Sequence, residues 1–73
     1  MIIEYTRHAR RRMKWRKISE AEIELATYSP DDLEPSEKNR INAYKKIKDK
    51  ILKVTYQKHD DRIQIITALW KGE

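Results

Sequence analysis

Ile18-Ser19-Glu20-Ala21-Glu22-Ile23-Glu24-Leu25-Ala26-Thr27-Tyr28-Ser29-Pro30 decides how the rest of this chain is read. Ser19 followed three residues later by Glu22 is a capping box, in which each side chain satisfies the other residue's orphan backbone N–H. Ile18 before the cap and Ile23 at the fourth helical position are placed for a hydrophobic staple. Ala21, Ile23, Leu25 and Ala26 supply an apolar side. Ser29-Pro30 stops the helix near Tyr28, because the residue before a proline is pushed out of the helical region.

On the N-terminal side, Ile2 to Tyr5 reads as a short strand, and Thr6 can cap a further helix running to about Lys17. On the C-terminal side, Asp31 to Lys38 reads as an acidic loop holding Pro35. Three strands follow. Ile41, Ala43 and Ile47 share one face of the first, with Tyr44 on the other. In the second, Leu52, Val54 and Tyr56 alternate with Lys53, Thr55 and Gln57. In the third, Ile63, Ile65, Thr67 and Leu69 alternate with Gln64, Ile66, Ala68 and Trp70. Period-two alternation is the strand signature. The short turns at Lys48-Asp49-Lys50 and Lys58-His59-Asp60-Asp61 make these neighbours antiparallel. The third strand is apolar on both faces and is expected to be central. The expectation is an α+β fold of order β-α-α-β-β-β with a mostly antiparallel sheet, one domain over residues 1–73.

A chain of 73 residues with no Phe and 40% charged side chains can build only a thin core. Chains of this size bury about 60% of the surface exposed on unfolding. The absence of Cys rules out disulfides and thiolate metal sites. A partner chain or a homo-oligomer is the expected remaining support. No run approaches the roughly 20 apolar residues that span a bilayer. Residues 1–5 are too short an apolar stretch for a signal peptide. A cytoplasmic protein with no membrane partner is therefore expected. His8 and His59 stand far apart, and neither a metal site nor a cofactor is expected.

The net charge of +5 is sorted along the chain. Thr6 to Lys17 holds Arg7, Arg10, Arg11, Arg12, Lys14, Arg16 and Lys17 and no acid. Ser19 to Glu37 holds Glu20, Glu22, Glu24, Asp31, Asp32, Glu34 and Glu37 and no base. At about 100° per residue, Ala9 and Met13 face the sheet. His8, Arg12 and Arg16 then stack as one ridge between that apolar stripe and Trp15. A charged ridge at a helix–sheet seam costs desolvation unless it is compensated. Three compensations are open: an internal acid, long stems that carry the charge to water, or an external anion such as a phosphate, which the planar guanidinium fork suits. An imidazole titrates near physiological pH, so beside two guanidinium groups His8 is a candidate general acid or base, with Arg12 and Arg16 as anion holders. Arg11 and Lys53 are candidate nucleic-acid contacts by charge. Trp15, Tyr44 and Trp70 are candidates by stacking; ordinary packing is the competing role for the aromatic three.

His8-Ala9-x-x-Arg12-Met13-x-x-Arg16-x-Ile18-Ser19 resembles the N-terminal signature of the "domain of unknown function 4258" family. Leu52-Lys53-Val54-Thr55-Tyr56 and Ile63 to Thr67 resemble its last two strands. That family is similar to the RelE/ParE-like toxins of toxin–antitoxin pairs, the BrnT group among them. The resemblance implies a RelE-like fold with both helices packed on one sheet face. It also implies a metal-independent endoribonuclease acting on mRNA, free or on the ribosome, and neutralised by an antitoxin chain. His8, Arg12 and Arg16 are the positions carried over. The chain departs from many RelE-like nucleases at Leu69-Trp70-Lys71, where a catalytic Tyr or His would stand. Two further readings therefore stay open: a module that grips nucleic acid or a protein such as gyrase without chemistry, and a basic face that docks an acidic antitoxin segment.

Overall fold

Both helices begin where the sequence caps them. In the computed structural model, which describes residues 2–72, Thr6 accepts the Ala9 amide at 3.0 Å and opens α1 (Arg7–Arg16). Lys17 ends α1 in the left-handed region, φ 57°, while the Ile18 amide reaches back to the Met13 carbonyl at 2.8 Å. That six-to-one closure is a Schellman turn carried by a residue other than glycine. The chain enters α2 (Glu20–Tyr28) two residues later through the expected capping box. Ser19 Oγ accepts the Glu22 amide at 3.1 Å, and Glu22 Oε1 accepts the Ser19 amide at 2.9 Å. Ile18 and Ile23 flank the cap and are both buried.

The strands are β1 (Ile2–Tyr5), β2 (Asp32–Pro35), β3 (Arg40–Ile47), β4 (Lys50–Lys58) and β5 (Arg62–Trp70), with a 3-10 turn at Glu37–Asn39 before β3. They form one sheet in the order β1-β5-β4-β3-β2. β1 runs parallel to β5, and the other neighbouring pairs are antiparallel. The α+β fold is thus as expected, with one strand more. Ala9, Met13, Ile18, Ile23 and Ala26 from the helices form a single core with Ala43, Leu52, Val54, Tyr56, Ile63, Ile65, Ala68 and Trp70. Both helices therefore cover the same sheet face. The other face stays open and carries Tyr44, Lys53, Thr55, Gln57 and Leu69.

Two details correct the sequence reading. The acidic segment expected to be a loop contains β2, which pairs with β3 from Asp32↔Tyr44 to Pro35↔Ile41. Asp, Glu and Pro disfavour strands, and all four β2 residues are exposed. Backbone pairing, with the Tyr44 hydroxyl donating to Glu34, defines this edge, and no hydrophobic alternation announces it. Asp31 anchors its start. Its amide bonds the Tyr44 carbonyl at 2.8 Å and its Oδ2 accepts the Lys46 amide at 2.7 Å. The Lys46 N–H, with Lys45 nearby, holds the Asp31 carboxyl below the usual carboxylate range.

The second correction is a bulge. Tyr56 pairs with Ile65 and Thr55 with Thr67, so Ile66 is an extra residue. A bulge resets the alternation of a strand. Beyond it Ala68 and Trp70 turn to the helix face, while Thr67 and Leu69 face the open side. The bulge also explains why β5 looks apolar on both faces. β5 lies between β1 and β4, and the middle of the sheet is β4.

Candidate nucleic-acid interface

β1 ends at Tyr5, opposite Ile65, and the chain turns away into α1. Ile66 to Trp70 therefore continue with no strand on that side. An unpaired strand edge must find other partners for its backbone groups, and α1 supplies them. Thr6 Oγ1 donates to the Ile66 carbonyl at 3.2 Å, and Arg16 Nη1 donates to the Ala68 carbonyl at 2.8 Å. In return the Trp70 indole N–H donates to the Arg16 carbonyl at 3.0 Å. Arg16 thus clasps the end of α1 to the end of β5 through both its main chain and its side chain.

The His8–Arg12–Arg16 ridge runs along this flank. Arg12 and Arg16 are half-buried, and their guanidinium carbons lie 5.1 and 5.9 Å from the Trp15 ring centroid. Trp15 is 70% exposed, so both cations gather around an indole that faces solvent. The ion pairs lie elsewhere: Arg10 with Glu20, Lys45 with Asp31, and Arg62 with Glu4 and Asp61. Among the described residues, no carboxylate of the protein pairs with Arg12 or Arg16. Of the three compensations open at the sequence level, the internal acid is absent from the flank. Arg16 uses a backbone carbonyl instead.

Below Trp15 the flank opens into a groove of about 580 Å³, lined by Trp15, Arg16, Lys17, Lys50 and Trp70. Trp70 is only 7% exposed, and the Lys50 ammonium lies 5.4 Å from its ring centroid. The groove therefore joins cations with indole surface, the combination that holds a phosphate backbone and stacks its bases. Trp70 is a wall of the groove and a core residue, as its competing role required, because the bulge turned it to the helix face. Lys17 and Lys50 were not singled out in the sequence. Lys17 is the left-handed cap of α1, and Lys50 meets Trp70 only once the bulge has fixed the register of β5. No single-chain pattern signals either.

The other candidates separate from this groove. His8 is exposed and lies about 12 Å up the helix axis from Arg16 at 1.5 Å per residue. Among the described residues, the groove lining holds no imidazole and no carboxylate. Arg11 is exposed on the outer side of α1. Tyr44 and Lys53 are direct cross-strand partners on the open face. Burial and the hydrogen bond to Glu34 push the Tyr44 hydroxyl above its ordinary pKa.

With this geometry in view, comparison with protein families gives one match: residues 5–70 fit the family model described as Domain of unknown function (DUF4258). The chain belongs to that family. No curated protein and no solved structure matches it. The match runs from Tyr5 at the end of β1 to Trp70 at the end of β5, so the described lining of the groove of this DUF4258 domain lies wholly inside the family region. None of its helices is long and apolar enough to cross a membrane among the described residues.

Proposed function

We propose that this domain binds single-stranded RNA in the groove between the end of α1 and the end of β5, as an RNA-directed, toxin-like protein of the RelE/ParE kind. One observation carries the proposal: Arg12, Arg16, Lys17 and Lys50 gather around two indoles, and among the described residues none of the four pairs with a carboxylate. An uncompensated cationic groove of this kind favours a polyanion, and exposed indole favours an unpaired base over a duplex. The helical hairpin between β1 and the antiparallel strands, with β1 parallel to β5, supports kinship with the RelE-like toxins. In that setting the substrate is mRNA. A cognate antitoxin would neutralise the domain by laying acidic residues into the same groove.

Among the described residues the groove lining offers grip without a carboxylate or imidazole to accept a proton, so binding is the activity the geometry supports best. Cleavage is the second reading, favoured by the unpaired ridge that leads from the groove to His8. There the imidazole would take the 2′-hydroxyl proton and the freed oxygen would attack the adjacent phosphorus. The bond to the 5′-oxygen would break, that oxygen leaving as a hydroxyl with a proton from water or from the imidazolium, and a cyclic phosphate would remain, with Arg12 and Arg16 holding the added negative charge.

Labelled oligoribonucleotide titrated across a salt series, with the RNA then run on a gel, tests both readings. Four backbone cations predict a log–log salt slope of about −3 for a single strand. Binding that ignores salt, or fails at low salt, removes the RNA assignment. A non-catalytic module of the gyrase-directed, ParE-like kind would leave the RNA unbound. Intact RNA establishes a binding module. Fragments ending in cyclic phosphate establish a nuclease, and a His8→Ala variant that cuts at the wild-type rate would remove His8 from its mechanism.

A further inference from the structure

Two cavities meet at one end of the sheet. The groove lies on the helix face. A pocket of about 470 Å³ lies on the open face, floored by Tyr44 and Ile51 and bordered by β2 and Lys71. Lys50 and Ile51 are consecutive, as are Trp70 and Lys71. Strand alternation sends the first of each pair to the groove and the second to the pocket. A strand lying in the groove therefore reaches the pocket by passing the ends of β4 and β5.

The pocket differs from the groove in chemistry. Its charges balance, with Lys45, Lys46 and Lys71 against Asp31, Asp32 and Glu34. That balance makes it a weak phosphate site. Asp31 is committed to the fold through the Lys46 amide and Lys45 Nζ, at 2.7 and 3.4 Å. Asp32 and Glu34 each have one oxygen engaged: Asp32 Oδ1 by the Leu33 amide at 3.0 Å and Glu34 Oε1 by the Tyr44 hydroxyl at 3.0 Å. Each oxygen has further acceptor capacity. The Tyr44 ring is half-buried, and the Lys71 ammonium lies 5.2 Å from its centroid. An aromatic face beside carboxylate acceptors recognises a planar ligand with donors on its edge. Among the RNA bases, guanine places two adjacent N–H donors, N1 and N2, on one edge. That arrangement matches a carboxylate in the way a guanidinium fork does.

We propose that this pocket is a single-base subsite selecting guanine, with Tyr44 stacking on the base and Asp32 or Glu34 accepting its N1–H and N2–H; it rests on the RNA-binding reading of the groove. The test is fluorescence anisotropy at fixed salt, using octauridylate, the same oligomer with one internal guanosine, and the same with inosine in its place. Wild type should bind the guanosine oligomer about tenfold more tightly than octauridylate, a ratio within the range a good bidentate pair supplies. Inosine, which lacks the N2 amine, should lose most of the gain. Glu34→Gln, Asp32→Asn and Tyr44→Leu each alter an exposed or half-exposed side chain, so folded variants are expected. At least one carboxylate variant and Tyr44→Leu should abolish the ratio while octauridylate still binds.

Equal binding of the three oligomers by wild type overturns the guanine subsite and leaves the groove reading standing. A preference that survives all three variants also overturns it. If no oligomer binds, the groove reading fails and the subsite falls with it. If wild type shows no guanine preference but binds an arginine-bearing peptide in a manner lost on Tyr44→Leu, the pocket belongs to a protein partner.

Discussion

The two helices lie on the same sheet face and are nearly the same length, yet they treat charge in opposite ways. α2 follows the local rules of helix stability: a complete capping box and Glu20 and Glu22 in the first turn, where the helix dipole favours negative charge. α1 has Thr6 as its cap but no acid in its first turn, which holds Arg7, His8 and Arg10 instead. Cations at that end oppose the dipole. Arg10 recovers part of the cost by pairing with Glu20 and lying 4.3 Å from the Tyr5 ring centroid. The charges of α2 serve the helix they sit on, whereas on α1 only Arg10 finds a carboxylate and Arg16 a backbone carbonyl, and Arg7, Arg11 and Arg12 take no acid among the described ion pairs. Sites where a sequence breaks a local rule without internal compensation are where function is expected.

If this division is real, damage to each helix should register in a different measurement. The largest effect is expected from Ile23→Ala. Ile23 is fully buried in α2 at the centre of the core, and its truncation should cost about 3 kcal/mol in urea unfolding. RNA affinity measured well below the transition midpoint should not change. A comparable loss of affinity in the still-folded variant would show that α2 takes part in binding and would break the contrast.

Trp15→Ala is the mirror experiment. Its indole is the most exposed large apolar group described, so unfolding should shift by less than about 0.5 kcal/mol. RNA affinity should fall by about 1–3 kcal/mol if a base stacks there. An unchanged affinity would move the binding surface off the flank of α1. Ser19→Ala comes next. Loss of the capping box should cost about 1 kcal/mol of stability, read as a lowered urea midpoint at constant slope, with the salt dependence of RNA binding untouched.

The same contrast explains what could be read from the sequence. The boundaries of both helices were legible because caps are local chemistry, written within a few residues at Thr6 and at Ser19–Glu22. The ridge of His8, Arg12 and Arg16 was legible because helical spacing is fixed. β2 was hidden because an edge strand that buries nothing has no pattern to show. The bulge at Ile66 was hidden because one extra residue leaves composition unchanged while exchanging the two faces of everything after it. That exchange turned Trp70, a stacking candidate, to the helix face, where it is a wall of the groove. It set Trp70 beside Lys50, and with Lys17 they form a site that no motif marks, since its members come from a helix cap and two strand ends.

The smallest effect is the most discriminating. Arg7 is exposed at the first position of α1 and takes no ion-pair partner among the described residues. Reversing its charge with Arg7→Glu replaces an unfavourable dipole interaction by a favourable one. It should raise stability by a few tenths of a kcal/mol up to about 1 kcal/mol. The same substitution removes a cation from the basic helix, so RNA affinity should fall and association should slow, most visibly at low salt where steering is strong. Stability and binding would then move in opposite directions from one exposed side chain. If Arg7→Glu instead lowers stability, Arg7 compensates something inside the fold, and the basic first turn of α1 needs no external anion to account for it.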